Sequence, residues 1–129
     1  MTNGVFTVYV LFKAVTGPFR VQVFNNTILI DMAFSYETKL AVWKKARMVI
    51  GVDPAKWRKD QCDAWICWDY YGDRISDYGW EIDHITPVSK GGTDNLSNLR
   101  PLQWENNASR QDDRLCCVIT SYGNKNVRK

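Results

Sequence analysis

The chain has 129 residues and a mass of 14.9 kDa, room for one compact domain and little more. At 45% apolar and 24% charged residues, its composition excludes wholesale disorder and fibrous repeats. No apolar run reaches the roughly 18–20 residues of a membrane helix. The first residues carry no Lys or Arg ahead of Lys13, so a basic secretory leader is not expected and a cytoplasmic protein is.

The net charge of +3 is too small to name a partner, but its distribution is informative. Residues 1–38 are neutral, 39–60 carry +5, 61–83 carry −5 and 84–129 carry +3. An acidic block between two basic ones fits a cation site flanked by phosphate-binding surface, although solvated helix and loop faces would give the same pattern. The four cysteines, Cys62, Cys67, Cys116 and Cys117, form no C-x-x-C pair. They read as reduced, packed thiols, and no structural zinc is expected.

The chain changes character near residue 32. All five Phe lie within the first 34 residues and all six Trp lie from residue 43 onward. The front part predicts two strands, residues 5–12 and 20–30, with turn signals at Gly17-Pro18 and Asn25-Asn26. Residues 1–31 are therefore expected to be a β-hairpin extension, dispensable if the native product starts at or near Met32. Residues 32–129 are expected to be the functional domain.

Ser35 reads as a helix N-cap, and Leu40, Trp43, Ala46 and Ile50 mark one apolar face of a helix from Tyr36 to Ile50, stopped by Gly51. Asp53-Pro54 predicts a second, short helix through about Lys59. Ala64 to Trp68 and Gly79 to Ile85 are strand-like, with a turn around Tyr71-Gly72-Asp73. Pro87 and Gly91-Gly92 open a loop, Asn98 to Leu102 is extended, and Gln103 to about Arg114 reads as helical.

The chemistry concentrates between residues 79 and 112. The only histidine, His84, follows Asp83, and Asn98 and Asn107 lie downstream. Asp83 and a helix-borne Asn107 offer oxygen ligands, and His84 offers a base. A lone histidine is ordinarily structural, so the surrounding pattern decides. Asp83-His84-Ile85, Pro87 to Gly92, Asn95 to Leu99 and Glu105-Asn106-Asn107 together closely resemble the HNH endonuclease family, in an H-N-N variant of bacterial or phage type. Lys56 to Asp60 and Tyr78 to Trp80 extend the similarity toward Tyr36.

The resemblance implies an α+β fold built around a ββα-metal motif at about 79–114, with an N-terminal helix. It implies that Asp83 and Asn107 hold one divalent cation, Mg2+ or alternatively Mn2+, and that His84 is the general base. Asn98 matches the asparagine that fixes the loop and orients the histidine. Lys90, Arg100 and Arg110 are candidate phosphate contacts on DNA. The implied function is hydrolysis of DNA phosphodiester bonds; the alternative is a non-catalytic nucleic-acid-binding module that keeps the fold. Many relatives carry a C-x-x-C where this chain has Gln103 and Asn106, so packing by Trp65, Trp80 and Trp104 is expected to replace a zinc. No membrane partner is implied, and monomer and dimer both stay open.

Overall fold

The computed structural model describes residues 19–24, 27–32, 34–111 and 113–129. It is a small mixed helix-and-strand structure, and the four sheets among the described residues are all two-stranded and antiparallel. The chain divides into two compact units, residues 1–38 and 39–129.

In the first unit, β1 (Phe19–Phe24) pairs with β2 (Thr27–Met32), Phe24 opposite Thr27 and Phe19 opposite Met32. The run expected as one strand over residues 20–30 is thus itself a hairpin, broken where the Asn25-Asn26 signal lies. The strand expected over residues 5–12 lies outside the described residues. Helix α1 (Tyr36–Trp43) begins as the sequence predicts, with the Thr38 amide donating to Ser35 Oγ at 3.1 Å.

α1 ends seven residues early. Arg58 Nη1 takes the carbonyls of Lys44 and Ala46 at 3.2 and 3.1 Å, and Arg47 exchanges two backbone hydrogen bonds with Lys59. These partners draw off the backbone groups that another helical turn would use. Trp43 and Ala46 are buried as expected, but Ile50 is fully exposed. The short helix expected from Asp53 is also absent: Asp53 Oδ1 accepts from the Ala55 amide in a turn, and β3 (Trp57–Lys59) follows. Cross-strand pairing of Trp57 with Cys67 and of Lys59 with Trp65 outweighs the local helix signal.

β4 (Trp65–Cys67) and β5 (Trp80–His84) fall where sequence places them. β5 pairs with β6 (Leu99–Gln103), and α2 (Trp104–Ala108) follows without a break. α2 is shorter than the helix expected to Arg114, because Gln111 and Arg114 close a tight turn through reciprocal backbone bonds. A last hairpin, β7 (Ile119–Tyr122) and β8 (Lys125–Arg128), turns at Gly123 with φ of +60°, a conformation glycine adopts without steric cost.

Trp43 and Trp80 centre the core of the second unit, with ring centroids 5.1 Å apart; Trp68 and Tyr71 stack edgewise against them. Burying such rings is the main apolar contribution available to so small a domain. Trp80 and Trp65 are buried, whereas Trp104 is only partly so.

The positions where relatives carry C-x-x-C hold a hydrogen-bond network, so tryptophan packing is not the whole replacement. Gln103 and Asn106 are fully buried. Gln103 Oε1 caps α2 by accepting from the Glu105 and Asn106 amides. Asn106 Nδ2 donates to Asp60 Oδ2 and to the Ile119 carbonyl, and its Oδ1 accepts from the Val118 and Ile119 amides. Asp60 also accepts from the Cys62, Ala64 and Gln103 amides. Cys62 and Cys117 form a disulfide across this junction, 55 residues apart in sequence. That corrects the expectation of reduced thiols: the chain fold, invisible in the spacing, brings their Cα atoms to 5.4 Å. Cys67 remains a buried free thiol, and burial pushes its pKa up, which makes it a poor nucleophile.

Candidate active site

Strands β5 and β6 and helix α2 carry the candidate residues Asp83, His84, Arg100 and Asn107, whereas Lys90 and Asn98 lie in the loop between the strands and Arg110 just after α2. Alternation along β5 sends Glu81 and Asp83 to one face and His84 to the other. Both acids are buried, at 8% and 5% exposure, so each needs a counter-charge.

Arginines supply it. Arg74 grips Glu81 with two hydrogen bonds, at 3.0 and 2.9 Å, and that pairing raises the pKa of its guanidinium. Asp83 is held from two sides: Arg100, its register partner on β6, donates Nε to Oδ2 at 2.7 Å, and Arg110 donates Nη1 to Oδ1 at 2.7 Å. Arg110 also binds the carbonyls of His84, Ile85 and Asp113, so it straps the end of β5 to the segment after α2. Its Nε is buried without a hydrogen-bond partner among the described residues. Arg100 and Arg110, read from sequence as phosphate contacts, therefore sit on Asp83, and Lys90 pairs with Asp113.

His84 is partly exposed, and its Nε2 lies 2.6 Å from Asp94 Oδ1. Asp94 belongs to the loop between β5 and β6, and Asn98 builds that loop. Asn98 Oδ1 accepts from the Thr86 amide at 2.8 Å, while Nδ2 donates to the carbonyls of Thr86 and Thr93 at 3.0 and 2.8 Å. The loop is tight enough that a Cβ on Gly92 would stand 1.8 Å from the Thr86 carbonyl oxygen, so only glycine fits.

Asn107, on α2, donates Nδ2 to Glu81 Oε1 at 3.1 Å. This fixes the amide's orientation, and its Oδ1 accepts no hydrogen bond among the described residues. Asp83 and Asn107 are not hydrogen-bonded to each other. No three His, Cys, Asp or Glu side chains gather into a metal cage among the described residues. Asp83 and Asn107, the residues the sequence singles out, offer a carboxylate and an amide oxygen, the donor type that hard divalent cations take.

Sequence reading missed Glu81, Arg74 and Asp94. Glu81 was within reach of it, since a residue two before Asp83 in a strand must share its face. Asp94 carried no local signal, because loop closure alone brings it to His84.

Beside this site, a cavity of about 490 Å3 is lined by Lys45, Arg47, Lys59 and Arg100 and by the acids Asp60 and Asp63. Lys45 Nζ is held by the carbonyls of Leu96 and Leu99, while Arg47 and Lys59 share Asp63.

No curated protein and no solved structure matches the chain. Among the described residues, no helix is long and apolar enough to cross a membrane. Residues 62–107, which run from the disulfide cysteine through both β5 and β6 to Asn107, match the family model of the HNH endonucleases.

Proposed function

We propose that the protein is a metal-dependent endonuclease that hydrolyses DNA phosphodiester bonds, with His84 as general base and Asp83 and Asn107 holding one Mg2+ or Mn2+ ion. The observation that carries this reading is the division of labour at the end of β5. His84 is held through Nε2 by Asp94 on a loop fixed by Asn98, while Asp83 and the open oxygen of Asn107 belong to the side covered by α2. A carboxylate against the imidazole fixes the ring's orientation, as a base that must meet an attacking water requires. The bound ion would supply charge stabilisation to the phosphate and the leaving oxygen.

In this reading Asp83 and Asn107 offer hard oxygens, the donor chemistry that magnesium and manganese take and zinc does not prefer. Asn98 is a positioning residue: it shapes the loop that carries Asp94. The strand–loop–strand–helix unit is then the ββα-metal motif, and Lys90, with the arginines, meets DNA phosphates. The cytoplasmic setting expected from sequence belongs to the same proposal. The Cys62–Cys117 bond bears on it, because reducing compartments keep such pairs open.

The test is conversion of supercoiled plasmid to nicked or linear forms, with magnesium and with EDTA, for the native chain and His84→Ala. Magnesium-dependent cleavage lost in the variant is the expected result. Plasmid binding without cleavage under any divalent ion would favour the non-catalytic module instead.

A further inference from the structure

Arg100 and Arg110 hold the same carboxylate but are not equally fixed. Arg110 has three backbone carbonyls besides Asp83 and is a strut. Among the described residues the Arg100 side chain has only Asp83 and a long contact of 3.3 Å to Gln61 Oε1, and it lines the cavity that Lys45, Arg47 and Lys59 also line. Four cations face two acids there. Asp60 is buried with both oxygens hydrogen-bonded, so Asp63 is the sole acid of the pair open to solvent.

We infer that this cavity is a track for the phosphate backbone of a nucleic acid, and that Arg100 is its gate. In the ion-free protein Arg100 neutralises Asp83; when a divalent cation takes the carboxylate, the guanidinium turns to a phosphate in the cavity. The inference rests on reading Asp83 as a metal ligand. Its physical basis is competition: a dication and a guanidinium within a few Å of one carboxylate repel each other, in a partly desolvated site where that repulsion is weakly screened. A phosphate in the cavity relieves the repulsion by giving Arg100 another anion, matched to its planar fork. Ion and DNA therefore bind cooperatively, each lowering the cost of the other.

The experiment titrates manganese(II) alone, without DNA, into the native chain, Arg100→Gln, Arg100→Lys and Asp83→Asn, following free ion by electron paramagnetic resonance. Arg100→Gln should bind manganese about tenfold or more tightly than the native chain, since the competing charge is gone. Arg100→Lys, which keeps the charge and guards against a folding defect, should stay near native, and Asp83→Asn should lose binding. A second measurement follows salt-dependent binding of a DNA duplex in a His84→Ala background that cannot cleave. With magnesium, adding Arg100→Gln should reduce the salt slope by about one phosphate contact, and in EDTA it should not. Manganese affinity in Arg100→Gln equal to or weaker than native, with Asp83→Asn still impaired, overturns the gate and leaves the nuclease reading standing. Native-like manganese binding by Asp83→Asn overturns both.

Discussion

Two polar regions meet at α2, and they are built on opposite rules. On one side Asp60, Gln103 and Asn106 are buried and close on one another and on backbone groups from four segments. On the other, Glu81, Asp83 and His84 are balanced by charged side chains: Arg74, Arg100, Arg110 and Asp94. Backbone partners cannot leave, so the first region is a rigid joint. Side-chain ions can exchange one partner for another, so the second can respond to a ligand. The buried Nε of Arg110, without a partner among the described residues, lies in the second region.

Removing the disulfide should break the joint most severely. Cys62→Ser with Cys117→Ser frees a loop of some 55 residues, and the loop-entropy relation puts the loss at about 4 kcal/mol. Urea unfolding of both forms measures it, and a difference below 1 kcal/mol would show that the polar network alone closes the junction. Asp60→Asn is isosteric but turns its amide NH2 toward two of the four N–H donors that the carboxylate accepts, so it should cost roughly 3 kcal/mol. Calorimetric melting checks this, and Asp83→Asn offers the contrast, since Arg100 can reorient and Arg110 keeps its three backbone carbonyls.

His84→Ala reverses the signature. Cleavage should fall by about a hundredfold or more, with the unfolding midpoint nearly unchanged, because its bonded partner Asp94 is exposed. Asn98→Ala lies between the two regions: three loop bonds go, costing roughly 1–2 kcal/mol together with a drop in rate at unchanged magnesium midpoint. Deleting residues 1–31 should have the smallest effect, leaving the melting temperature and cleavage rate of the remaining chain close to native; aggregation of the shortened protein would refute its dispensability.

Local signals reported well wherever the deciding interaction was local. Ser35 caps α1 because its hydroxyl needs only the amide three residues on. β5, β6 and the Asn98-built loop sit where alternation, Pro87 and the glycines put them, and the resemblance quoted from those residues agrees with the matched span 62–107. Failures came where a distant partner won. The helix expected to Ile50 stops at Trp43 because Arg58 and Lys59 claim its backbone, and the helix expected after Asp53 becomes β3 because β4 lies beside it.

What the amino-acid order determined by itself, then, is the set of chemical groups and their local geometry: an imidazole, a carboxylate and two amides at fixed spacing on a strand–loop–strand–helix run. The tertiary structure decided their partners. Only the folded chain could set two arginines on Asp83, bring Asp94 to His84 and join Cys62 to Cys117. Hydrogen bonds and ion pairs act over a few Å, and residues 10 to 55 positions apart come within that range only when the chain between them has folded.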